Sequence, residues 1–518
     1  MKTWNRIGWA MVLCAAMAGG AFAQGGPSAS APAAALAKDN PPAAPKLEDL
    51  PLKESISQYG ITWTLEKPAR VGQFINGDFY VVGPVTVKAI DPAPADGVNG
   101  SMLNPEPCAN QGYAARNGVQ NGKKDSIYKA ELTAAPPIKM VSGDSLVSTI
   151  TMEDGKTGRS TRLFGRHRGG GPDSISKAAA VLTCLADPVP PDTFRPSYCG
   201  KQKNRYRFSD LRLELLPSLE LTPGAPDIEG FARVFERPWI DHVYDWGSRH
   251  IHPIENMPEY GQSAAHAVED GGLLLLGNAP LEKKRKLLIG FVQVGIDLAG
   301  VIERGGKGWP GAGGFGSGRK WPILFAGLLL QDKGMQGPQA EFAEDDQTAF
   351  GKCWTGANVV FAGQYPRLAK SNPQKYGAER GPYEDTPPSQ WKSNMGEGYR
   401  RCCTSCCFVG QALAARLMHA EKVWNHDAFF VYVDRWMTED DKEFRVEINK
   451  HFPDKNLVDE TKTWCHQGYA QDFVKEMWTK YREHLPPAPD GHKDPSAAST
   501  WKGPVPASAP APAAGTAK

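Results

Sequence analysis

The apolar residues of this chain change their period near Pro223, and that change sets what each half can fold into. Before it they alternate: Ile61, Trp63 and Leu65 are interleaved with Thr62, Thr64 and Glu66, the period-two pattern of a strand with one buried face. Asn76-Gly77, between Phe74-Ile75 and Phe79-Tyr80-Val81-Val82, predicts a tight hairpin turn with two positive φ angles. Further extended runs are expected at 85–90, 145–152 and 179–185, separated by turn-rich stretches. After Pro223, Leu287, Leu288, Phe291, Val292, Gly295, Leu298, Val301 and Ile302 fall on one face of a helix over 281–304. Helices are also expected at 261–276, 321–331, 408–424, 426–437 and 471–483. The predicted fold class is therefore multidomain α+β: an N-terminal β-sandwich-like module over 47–222, then an (α/α) toroid helical domain over 223–485. No fixed-period self-similarity marks a repeat array.

The ends read differently. Lys2 and Arg6, an apolar run from Ile7 to Met17 and Ala21-Phe22-Ala23 have the form of an export signal over 1–23. Residues 24–46 are a Pro/Ala-rich linker, and 486–518 a disordered tail of the same composition. The expected location is secreted or periplasmic. The 518 residues carry 59 Lys+Arg against 57 Asp+Glu, and loss of Lys2 and Arg6 with the signal would make the two signs equal. That balance gives no footprint for nucleic acid, and no segment past the signal has the roughly 18 uninterrupted apolar residues of a membrane span. The oligomeric state is left open.

Polar chemistry concentrates in three stretches. Residues 241–260 hold three of the eleven histidines, His242, His250 and His252, together with Arg249, Glu255, Asn256 and Tyr260, on a proline-bounded loop leading into a helix. His250 and His252 could share a metal only from an extended segment, and no HExxH is present, so neither a metal site nor a cofactor is assigned; hydrogen bonding of the loop to the core is the structural alternative. Residues 305–320, GGKGWPGAGGFGSGRK, lack the strand that a dinucleotide fingerprint requires and the Lys-Ser/Thr of a phosphate loop. Their glycines would let backbone approach a ligand, with Trp309, Arg319 and Lys320 beside it; a solvent-exposed hinge is the alternative. The third stretch joins Glu397, Tyr399 and Arg400 to Cys402-Cys403-Thr404-Ser405-Cys406-Cys407. The Arg400 cation would favour a Tyr399 phenolate. Cys403-x-x-Cys406 has redox spacing but no thioredoxin-like surroundings, and no second CxxC completes a zinc site. In an oxidising compartment, disulfides among Cys108, Cys184, Cys199, Cys353, Cys465 and the cluster are expected, with connectivity undetermined.

ENMPEYG (255–261), GSGRKWP (316–322) and GYRRCC (398–403), as loops leading into helices, resemble the α/α-toroid polysaccharide lyases, the group that includes alginate and glucuronan lyases. The Asn-Asn-His pattern of some alginate lyases is absent, and a β-first order departs from the commonest lyase arrangement. The resemblance implies β-elimination on a uronate-containing polysaccharide. Arg319, Asn256 and protonated Glu255 would hold the carboxylate, His250 or His252 would take the C5 proton, and Tyr260 or Tyr399 would protonate the leaving oxygen. His242, Arg249, Trp309, Lys320, Glu397 and Arg400 would complete the substrate contacts. An inverting glycoside hydrolase using Glu255 with Glu397 or Asp385, and a non-catalytic glycan-binding protein, are the alternatives.

Overall fold

The computed structural model describes residues 41–95, 97–115, 119–120, 123–124, 127–152, 175–201, 203–244, 248, 251–258, 261–367, 383–453 and 470–487. The export signal, most of the linker, almost all of the C-terminal tail, Arg249, His250, Tyr260 and Cys465 lie outside these residues.

The chain is mixed α+β. Its first part forms an eight-stranded, curled sheet from β1 (Leu52–Gln58), β2 (Ile61–Gln73), β3 (Phe79–Val82), β4 (Val85–Asp91), β5 (Ser101–Leu103), β6 (Ile138–Met140), β7 (Ser145–Thr151) and β8 (Ser176–Leu185). The order is β5-β7-β8-β3-β2-β4-β6, with β1 also on β2. The curl comes from β2, which is 13 residues long. Its first half pairs with β4 (Trp63↔Ile90) and its last residues pair with β3 (Val71↔Val81). Trp63, Leu65, Val71, Val81, Ile90 and Leu182 fill the concave side. The Trp63 indole N–H is satisfied by Ser148 Oγ at 2.9 Å, as a buried donor requires.

The Asn76-Gly77 turn does join β2 to β3, but only Gly77 has positive φ, at 90°. Asn76 acts through its side chain: Oδ1 accepts from the Asp78 amide and Nδ2 donates to the Asp78 carboxylate, an Asx-type turn in place of a two-residue one.

The second part is built from α1 (Gly261–Leu275), α2 (Leu281–Glu303), α3 (Lys320–Leu330), α4 (Val409–Leu417), α5 (Asp427–Thr438), α6 (Lys442–His451) and α7 (Asp472–Tyr481). The apolar face expected on α2 is buried, and Gly295 lies so close to α3 that a Cβ there would be 2.3 Å from Pro322 O. The helix expected over 408–424 is interrupted after Leu417, where His419 turns left-handed at φ 52°. This part also holds a short antiparallel pair, Thr348–Phe350 with Val359–Phe361. Met102, Val147 and Val181 of the sheet share one continuous core with the helices. Buried Arg195 spans the two parts, with Nε 2.5 Å from Asp78 and a two-pronged pair to Asp297 on α2.

Candidate functional site

Helix α1 places Gln262, His266, Glu269 and Asp270 at i, i+4, i+7 and i+8, which is one face. That face meets the turn 400–407, a π turn (Arg400–Thr404) and a 3₁₀ turn (Ser405–Cys407) that lead into α4. Gly410 permits the approach: a Cβ there would lie 2.6 Å from Glu269 Cβ. Its amide donates to Glu269 Oε1 at 2.7 Å. The other carboxylate oxygen of Glu269 is 2.9 Å from His266 Nδ1, and His266 interacts electrostatically with Cys406. Gln262 Nε2 donates to Cys402 O at 2.5 Å and sits 3.5 Å from Cys406 Sγ. Sulfur, imidazole and carboxylate thus form one chain, with an amide N–H beside the sulfur. This is the nucleophile–base–orienter arrangement of thiol catalysis.

The electrostatics follow from this contact chain. The neighbouring Cys407 thiol first, and then His266, draw the Cys406 thiol well below its ordinary value, against burial. Burial pulls His266 down, but bonds to Cys406 and Glu269 outweigh it and carry the imidazole up to about 10. Both directions favour a thiolate beside an imidazolium. Burial raises Glu269, opposed by His266 and the Gly410 amide; burial and then the Glu269 charge lift Asp270 to about 8. We take Glu269 as the ionised member, because both of its oxygens receive strong donors whereas Asp270 receives a single amide from Gln471 at 3.1 Å. Cys406 is 1% exposed, while His266, Gln262 and Cys402 above it are partly exposed.

The glycine-rich loop lies against this site. A Cβ at Gly313 would be 2.8 Å from the Tyr399 ring, one at Gly314 2.2 Å from Cys403 O, and one at Gly261 1.9 Å from Phe315 O. The backbones of the three stretches selected from sequence therefore adjoin, with partly exposed Tyr399 between them.

Most of the side chains selected from those stretches face elsewhere. Arg319 is buried, with Nε 2.7 Å from Asp241 and Nη1 2.6 Å from Ser317 O. His252 is buried beside them, with Nδ1 3.0 Å from Pro258 O and Nε2 3.8 Å from Asp241. His242 lies between the rings of Tyr113 and Tyr198, and burial lowers it to about 4, so it is neutral. Asn256 donates to the Arg237 carbonyl, and Glu255 pairs with the Arg237 guanidinium. Trp309 stacks on Phe342; Lys320 reaches Asp345 and Trp424 O at 2.5 and 2.6 Å. Glu397 is enclosed by Arg400, Arg401 and Tyr383. The Arg400 guanidinium goes to Tyr432, Glu384 and Glu397, because neighbouring residues on a helical turn point about 100° apart. It is not spent on Tyr399. Within the cysteine cluster, Cys402 and Cys403 are disulfide-bonded, whereas Cys108, Cys184, Cys199 and Cys353 are free thiols, as are Cys406 and Cys407.

Gln262, His266 and Glu269 were not singled out from sequence. Their signal was a polar stripe at helical spacing in the otherwise small and apolar GQSAAHAVEDGG. Among the described residues no group of three or more His, Cys, Asp or Glu side chains could hold a metal ion, and no helix is long and apolar enough to cross a membrane. No family model, curated protein or solved structure matches the chain.

Proposed function

We propose that the chain is a thiol-dependent hydrolase or transferase acting on an acyl group, an amide or an ester. The observation that carries this reading is the His266–Glu269 pair beside the Cys406 sulfur, which interacts with His266 electrostatically and has the Gln262 amide at 3.5 Å. The Cys406 thiolate attacks the carbonyl carbon. Gln262 Nε2, released from Cys402 O, donates to the developing oxyanion. His266 then gives its Nε2 proton to the leaving amine or alcohol. The neutral imidazole draws a proton from water, which cleaves the thioester and restores the pair. Glu269 fixes the ring and its charge throughout. The test uses p-nitrophenyl esters and aminoacyl p-nitroanilides. The expected result is a burst of nitrophenol or nitroaniline, an acyl adduct on Cys406, and at least a thousandfold loss of turnover in Cys406→Ala. Undiminished turnover in that variant, or no acyl adduct on Cys406 with either substrate class, overturns the reading.

A second reading keeps an exported polyuronate lyase, with the helices as an (α/α) toroid behind a β-sandwich-like module. It is favoured by the meeting of the glycine-rich loop, Tyr399 and the start of α1. Tyr399 would be its proton-transfer group. His266 suits it poorly, since an imidazole held protonated up to about pH 10 cannot take a C5 proton at neutral pH. Alginate and glucuronan incubated with the protein should gain near-ultraviolet absorbance from unsaturated ends if this reading holds; no gain on either refutes it.

A further inference from the structure

Four sulfurs occupy six consecutive positions beneath Gln262. Two are joined as Cys402–Cys403, and two, Cys406 and Cys407, are free thiols. Cys406 stands one turn beyond Cys402, with Sγ 3.6 Å from Cys402 O, and Cys407 stands in the same relation to Cys403 at 3.8 Å. Gln262 Nε2 touches both Cys402 O and Cys406 Sγ, so the Cys406 sulfur lies beside the Cys402 backbone. On a regular α-helix, side chains at i and i+4 have Cβ atoms about 5–6 Å apart, and a disulfide requires about 3.5–4.5 Å; a Cys402–Cys406 bridge therefore asks for a local rearrangement of the π and 3₁₀ turns that carry the two residues. Cys402 and Cys403 are partly exposed, whereas Cys406 is buried. A reagent from solvent therefore reaches the disulfide more readily than the nucleophile.

We propose that Cys406 exchanges with the neighbouring disulfide, so that the site's nucleophile is stored as a Cys402–Cys406 bridge and released by an external dithiol. The inference rests on the reading of Cys406 as a nucleophile but needs no acyl substrate. In the exchange the Cys406 sulfur attacks Cys402 Sγ in line with the existing bond. The Cys402–Cys406 bond forms, the Cys402–Cys403 bond breaks, and the electron pair leaves on Cys403, which takes a proton from solvent at its partly exposed position. One disulfide is exchanged for another, with no net oxidation. Release is a second exchange: a dithiol attacks Cys402 Sγ, frees Cys406, and departs as its own cyclic disulfide, leaving Cys402 and Cys406 reduced. Exchange rises with the ionised fraction of the attacking thiol, with its basicity, with a low pKa of the leaving thiol and with access to the attacked sulfur.

The full-length protein supplies its own readout, because cleavage after Arg401 and Arg416 yields one peptide, 402–416, that contains all four cysteines and no other basic residue before its end. Protein without reductant is held at pH 7.5, quenched in acid at intervals, labelled with N-ethylmaleimide and digested. Fragment ions locate the label. The expected result is label appearing at Cys403 with a Cys402–Cys406 bridge, at least tenfold more slowly in His266→Gln, and all four cysteines labelled after dithiothreitol. An intact Cys402–Cys403 bridge with label confined to Cys406 and Cys407 at every time overturns the proposal. The native time course needs no variant to fold. Exchange without ester or amide turnover supports the exchange while removing the acyl reading; turnover without exchange does the reverse.

Discussion

Replacing Glu269 by glutamine tests the charge arrangement without an assumed substrate. The glutamine keeps the side chain's length and one acceptor oxygen, so the Gly410 amide can remain bonded and the helices can stay in place. What is lost is the negative charge 2.9 Å from His266 Nδ1. At that separation and an effective dielectric of about 20, two unit charges attract by about 6 kcal/mol. Burial opposes this, and the net rise of His266 from 6.5 to about 10 corresponds to about 5 kcal/mol shared by Cys406 and Glu269. If half belongs to Glu269, the variant loses about 2–3 kcal/mol, or about two pH units. The sign is fixed: without the carboxylate beside it the imidazole holds its proton less firmly, so His266 must titrate lower. The His266 ring, followed by NMR from pH 5 to 11, should lose its proton about two units lower in the variant than in the parent. A folded variant with the parent midpoint would refute the ion-pair reasoning.

Two further outcomes concern stability. Burial first, and Glu269 second, raise Asp270 to about 8, against about 3.9 in the unfolded chain. Its protonated form thus supports the fold fully below about pH 4, and that support is lost at up to about 1.4 kcal/mol per unit until about pH 8. Asp270→Asn should lack this slope, so urea midpoints of parent and variant should diverge in the variant's favour between pH 5 and pH 8.5; parallel curves would contradict the assignment. Arg195→Met strands the buried carboxylates Asp78 and Asp297 and should cost about 3–5 kcal/mol in chemical denaturation. Adding Asp78→Asn and Asp297→Asn should recover most of that loss, and a single variant as stable as the parent would show that the carboxylates find other partners.

The periodicity of the apolar residues was enough to place β4, β7, β8 and helices α1, α2, α3, α5 and α7 close to their observed ends, and the start but not the length of β2, because burial of one face is written into local spacing. Local spacing also carried the three loops that converge on the start of α1. The destinations of the side chains were not legible. Arg319, His252, Glu397 and Arg400 looked like site residues because charged and imidazole groups are costly to bury, yet each is offset by a partner that no helical or strand period marks: Asp241 for Arg319 and His252, Tyr383 beside the adjacent arginines for Glu397, and Glu384 and Tyr432 for Arg400. Conversely, Gln262, His266 and Glu269 read as the polar stripe of an ordinary helix, and the cysteine cluster as disulfide material. Only the approach of α1 to α4 across Gly410, about 140 residues away in sequence, turns these two unremarkable patterns into one charged contact chain. A sequence determines which faces must leave water; which polar groups then meet depends on contacts between segments that no local period records.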